Sequence, residues 1–124
     1  MKSLKDMAER PEWQDWHWQM RIRIRDVEGL TEWIPVSESL RAGIEACGEQ
    51  FRMAVTPYFL SLADPSDPED PILKQCIPSG KELEREDADL PDPLNEEHSM
   101  KTAHIVHRYP DRVLLLSTME CAMY

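Results

Sequence analysis

Apolar positions recur at spacings of three and four in the first half of the chain and then give way to punctuation. Trp13, Trp16, Met20, Ile24 and Val27 build one stripe, which predicts a helix over 11–28. Pro11 suits its first position, Glu12 and Asp15 put negative charge at the positive end of the dipole, and Gly29 is the expected stop. The tryptophans read as core or interface anchors, and Trp18, off the stripe, leaves room for docking on another chain or domain. Arg21, Arg23 and Arg25 alternate around such a cylinder and do not form a phosphate-binding stripe.

Ser37 reads as the N-cap of a second helix running to about Glu49, with Leu40, Ile44, Cys47 and Phe51 as its apolar stripe and Cys47 as a small core residue. Between Arg52 and Ala63 the chain is apolar and aromatic, and Pro57 breaks or restarts a helix there. Seven of the ten prolines lie between Pro57 and Pro93, and Asp64-Pro65, Asp67-Pro68 and Asp70-Pro71 repeat every three residues. Prolines this dense predict an ordered, turn-rich loop without regular helix or central strand. The aspartates lack the alternate spacing and bend glycine of a calcium loop. Lys81 to Ala88 reads as a short charged helix with a solvated face. Near the end, His107-Arg108-Tyr109-Pro110-Asp111-Arg112 reads as a polar turn. Val113-Leu114-Leu115-Leu116 follows it as a fully buried strand of the parallel-sheet kind. Ser117, Thr118 and Cys121 lie beyond its carboxyl end, where parallel α/β barrels place their active-site loops.

Composition narrows the classes. The 124 residues suit one domain, and 24 acidic against 14 basic side chains give a net charge of −10. That balance, with an isoelectric point near 4.8, argues against general nucleic-acid binding. No apolar run is long enough for a membrane span, and the start of the chain is not expected to be a secretory signal. Cys47, Cys76 and Cys121 are odd in number and widely spaced, so a reducing cytoplasm is expected rather than a disulfide framework. The spacings of His98, His104, His107 and Cys121 match no standard zinc finger. The four glycines are scattered singly, so no glycine-rich phosphate loop is present. Arg108 and Arg112 are either a bidentate clamp for phosphate or carboxylate, or ion-pair partners of Asp111 or another acid.

Several blocks together carry a resemblance. They are Trp13-Gln14-Asp15-Trp16-His17-Trp18-Gln19, Phe51 to Leu62, Asp92-Pro93-Leu94 and His107 to Leu114. In this order and spacing they resemble the N-terminal part of the lysine 2,3-aminomutase family, radical S-adenosylmethionine enzymes that also use pyridoxal 5′-phosphate. The segment from His98 to Val106 departs from that family's Pro-rich, Gly-containing pattern. The resemblance implies a mainly α N-terminal region (1–63) and a Pro/Asp-rich, turn-rich segment with a short helix (64–106). Residues 107–124 would then open a radical S-adenosylmethionine α/β barrel, with its first parallel strand and the start of its cluster loop.

The resemblance also implies roles for particular residues. Arg108, Tyr109 and Arg112 match the pyridoxal phosphate site, with Asp92 on the cofactor side. Cys121-Ala122-Met123-Tyr124 matches the opening of a CxxxCxxC motif whose three thiolates hold a [4Fe-4S] cluster, leaving one iron open to S-adenosylmethionine. The next cysteine of that motif would follow Tyr124. In the family, a 5′-deoxyadenosyl radical takes a β-hydrogen from the bound amino acid and the amino group migrates from the α- to the β-carbon. L-lysine is the expected substrate and glutamate the alternative, with subunit contacts through the Trp-rich region. The lysine that anchors the cofactor has no counterpart here, so these 124 residues alone are expected to be inactive. The other class of reading is a truncated, non-catalytic helical interaction module.

Overall fold

The computed structural model describes residues 3–48, 50–84, 89–118 and 120–123. They form two compact units. One holds the described residues up to Glu84 together with Cys121–Met123, and the other holds those from 89 to 120. None of the described helices is long and apolar enough to cross a membrane.

The first unit is built from short α-helices, each opened by a side-chain cap. After α1 (Leu4–Ala8), the helix expected over 11–28 is replaced by three pieces. These are a 3₁₀ turn (Pro11–Gln14), α2 (Trp16–Arg21) and α3 (Val27–Thr31). Asp15 restarts the chain by accepting the His17 N–H, and Asp26 does the same for Gly29. Between them Ile24 is extended and exchanges backbone hydrogen bonds with Val55 at 2.9 and 3.0 Å. Asp at a cap competes with helix continuation, and Ile22-Arg23-Ile24-Arg25 carries a period-two signal that the three-and-four stripe obscures. Gly29 is therefore inside α3 rather than a stop. A Cβ there would sit 3.0 Å from the capping Asp26 oxygen, so glycine permits that close cap.

The second predicted helix is present as α4 (Glu38–Cys47), with the Ser37 hydroxyl accepting the Leu40 N–H. Glu49, where it was expected to end, lies outside the described residues. Pro57 restarts the chain as the first residue of α5 (Pro57–Leu60), capped by Thr56. The first two Asp-Pro repeats are turns in which Asp64 and Asp67 accept the N–H two residues on. The third starts a helix that the proline density was expected to forbid, α6 (Pro71–Cys76). Asp70 caps Leu73 and Pro71 takes the first position, where its missing N–H costs nothing. The charged helix expected over 81–88 is a 3₁₀ turn, Gly80–Leu83, and 85–88 lie outside the described residues. Gly43 of α4 lies against this turn, where a Cβ would come within 3.4 Å of the Gly80 nitrogen.

These pieces share one core of Ile24, Val27, Leu30, Trp33, Ile34, Ile44, Met53, Val55, Leu60 and Leu73, closed by Cys76 and Ile77. Leu30 and Leu60 are fully buried, each contributing about 1.5–3 kcal/mol relative to exposure. Val55 lies at the centre, fully buried, bridged on one side to Ile24 and on the other to Met123.

The second unit has α7 (Glu96–Ser99) and a three-stranded sheet, β1 (Met100–Thr102), β2 (Ile105–Tyr109) and β3 (Arg112–Leu115), in the order β1-β2-β3. Here the expected polar turn and buried strand are corrected. His107 to Tyr109 are strand, and only Pro110 and Asp111 turn the chain. β3 pairs antiparallel with β2, and Val113, Leu114 and Leu115 are 55%, 50% and 61% exposed. A two-residue turn returns the chain directly beside itself, which a parallel pair cannot do. Pro110 presets the turn and Asp111 has no positive φ, so this is not the primed turn that matches strand twist. The β2–β3 register shifts between Val106 and Tyr109.

Candidate functional site

The hairpin sets the relation among Arg108, Tyr109 and Arg112. Tyr109 and Arg112 are directly opposed, and the Arg112 guanidinium lies over the Tyr109 ring at 4.6 Å from its centroid. That contact holds the long arginine against an aromatic face. Arg112 also approaches Asp111 at 3.7 Å, a loose, exposed ion pair. Arg108 instead donates to the Leu94 carbonyl at 2.8 Å, which ties β2 to the Asp92-Pro93-Leu94 segment.

Asp92 has a defined local task. Its two carboxylate oxygens accept the N–H groups of Glu96 and Glu97 at 2.9 and 3.0 Å, opening α7. Asn95 sits at a left-handed φ of 53° and offers no side-chain cap, so the acceptor comes from Asp92. These two backbone donors hold the Asp92 carboxyl below its ordinary value, with nearby Arg108 adding a smaller pull. The second unit thus sets Arg112 against Tyr109 across the hairpin and ties Arg108 to the segment in which Asp92 opens α7.

Cys121 belongs to the first unit and is exposed, whereas Cys47 and Cys76 are buried. Burial pushes the Cys47 thiol up and the Cys76 thiol up to about 11. Of the three, Cys121 alone is open to solvent. Its segment is held at three points. The Arg23 guanidinium donates to the Cys121 carbonyl at 3.0 Å, the Thr56 N–H donates to the Ala122 carbonyl at 3.0 Å, and Met123 bridges Val55. The Cys121 sulfur accepts the Met123 N–H at 3.4 Å. Arg23 and Thr56 escaped the sequence reading because neither lies near Cys121 in the chain. The alternating Ile22-Arg23-Ile24-Arg25 was the available signal. Among the described residues no three His, Cys, Asp or Glu side chains gather at metal-binding distance. His104 takes a positive φ of 67° in the turn between β1 and β2.

No protein-family model matches the chain. Individual relatives do. The chain is 49% identical over 120 residues to L-lysine 2,3-aminomutase of Clostridium subterminale, covering 97% of this chain and 29% of that protein. It is 45% identical to L-lysine 2,3-aminomutase of Acetoanaerobium sticklandii, covering 98% and 30%. The chain belongs to the lysine 2,3-aminomutase family. It spans about 30% of the length of these relatives. A glutamate 2,3-aminomutase of Clostridioides difficile is 44% identical over 91% of the chain and 26% of that protein.

Membership makes two groups testable against the lysine 2,3-aminomutase-like site. Two guanidiniums and a phenol within five residues are a donor set suited to a phosphate dianion, so Arg108, Tyr109 and Arg112 fit pyridoxal phosphate by chemistry. For a [4Fe-4S] cluster the described residues supply one exposed thiol, Cys121, and no group of three ligating side chains. This part of the chain fits one ligand of a cluster, not a complete set.

Proposed function

We propose that the chain is the N-terminal portion of a radical S-adenosylmethionine, pyridoxal phosphate-dependent L-lysine 2,3-aminomutase, which moves the amino group from the α- to the β-carbon. The observation that carries this reading is the 49% identity to the Clostridium subterminale lysine enzyme across 97% of the chain. In this reading Arg108 and Arg112 bind the cofactor phosphate through paired N–H donors, and Tyr109 keeps Arg112 oriented. Asp92 shapes the loop from which Leu94 holds Arg108. Cys121 is the first cluster ligand, with the others after Tyr124. Val113 to Leu115, exposed here, form the first strand of the barrel, whose further strands would cover them. Bound together, the cluster with S-adenosylmethionine supplies a hydrogen-abstracting radical, and pyridoxal phosphate carries the migrating amino group.

The 124 residues by themselves are inactive in this reading. Subunit contacts are assigned to the Trp-rich region, where Trp16 and Tyr58 are exposed beside a groove of about 330 Å³. Three free cysteines suit a reducing cytoplasm. A glutamate substrate is the second reading, favoured by the 44% identity to the Clostridioides difficile enzyme.

The test is the product of the complete reading frame, assayed anaerobically with L-lysine and L-glutamate side by side. β-Lysine formation is expected. β-Glutamate formation alone would assign the second reading, and absence of both from cofactor-loaded protein would overturn the proposal.

A further inference from the structure

Three segments far apart in sequence meet at one backbone junction in the first unit. Ile24 and Val55 exchange their hydrogen bonds, while Thr56 donates to Ala122 and Met123 bridges Val55 on the other side. Arg23 spans the junction. Its Nε donates to the Met20 carbonyl at the end of α2 at 2.9 Å, and one Nη donates to the Cys121 carbonyl at 3.0 Å. One planar guanidinium thereby joins a helix end to the backbone of the cysteine. A lysine has neither the fork nor the fixed angle between donors needed to reproduce this. The Thr56–Ala122 bond can form only if the 121–123 segment lies against Val55, and Arg23 grips the residue next to that bond.

We infer that Arg23 is a positioning residue that docks the Cys121 segment onto the N-terminal helical unit. The role rests on the reading of Cys121 as a cluster ligand for its meaning, but the docking itself does not require a cluster. Through it, the position of the first cluster ligand is set by α2 and the Val55 bridge rather than by the ligand loop alone. Arg23 touches no reacting group and acts through the Cys121 carbonyl.

Amide exchange separates this role from a general contribution to folding. In the 124-residue chain the Thr56 N–H reports docking of 121–123, whereas the Ile24 and Val55 N–H groups bond to each other's carbonyls and report the integrity of the unit. In Arg23→Gln, Thr56 exchange should rise by about tenfold, the scale of losing one charge-assisted hydrogen bond, with Ile24 and Val55 unchanged. Arg23→Lys should recover only part of the protection, and Arg25→Gln, which removes the same charge nearby, should leave Thr56 protected. The inference is overturned if Thr56 stays protected in Arg23→Gln, if all three amides lose protection together, or if Arg25→Gln has the same effect. Cluster content of the complete chain is a separate measurement. Its failure with the Thr56 result intact would overturn the ligand reading of Cys121 and leave the docking standing.

Discussion

Gln19 shows how much a single buried polar side chain can organise. It is 6% exposed, donates to the Trp13 carbonyl at 3.1 Å and accepts the Tyr58 N–H at 2.9 Å, so it joins the first 3₁₀ turn to α5. Gln19→Leu keeps the volume but leaves both backbone groups without their partner, and urea unfolding should show a loss of about 3 kcal/mol. The cysteines differ by burial. Thiol titration of the native chain at neutral pH should detect one reactive group, Cys121, and all three cysteines only after denaturation. Asp92 makes the α7 cap pH-dependent. Its carboxyl has a folded value below the ordinary 3.8, so its contribution is fully present above 3.8 and is lost as pH falls through the lowered folded value. Protection factors of the Glu96 and Glu97 amides should fall over that acid range in the native protein, and Asp92→Ala should show the lowered protection at neutral pH.

At the scale of elements, two helix starts were legible in the sequence and continuity was not. Ser37 at the start of α4 and Pro57 at the start of α5 were read correctly because a cap acts on its own neighbours. The break of the first helix depended on Ile24 finding Val55, 31 residues away, which no local pattern announces. The same limit applies to β3. A short apolar run is compatible with a buried strand, but burial requires a second layer, and in the second unit β3 is an exposed edge. An edge strand with Val113, Leu114 and Leu115 open to solvent is a template for association. The 124-residue protein should therefore show concentration-dependent association by light scattering. Val113→Lys with Leu115→Lys, which places charge along one face of that edge, should reduce it.

Across the whole molecule the two units differ in how much core they possess. The first has the cluster around Val55 and Leu30, whereas among the described residues of the second only Val106 is buried. Exchange of β2 and β3 amides should accordingly precede exchange of the Ile24, Val55 and Leu60 amides at neutral pH, as monitored residue by residue. The sequence by itself determined the family, the Ser37 cap, the Pro57 restart, the first two Asp-Pro turns, and the residue types able to bind phosphate or ligate a metal. These depend on side-chain chemistry and on neighbours within a few positions. Tertiary structure decided that the stripe of the first helix is interrupted, that Arg108 holds Leu94 while Arg112 covers Tyr109, and that Arg23 meets Cys121. The Ile24–Val55 pairing and the Arg108–Leu94 and Arg23–Cys121 bonds join segments separated in the chain, and the Arg112–Tyr109 contact depends on the hairpin register. All are selected by the burial and pairing available only once the chain has folded.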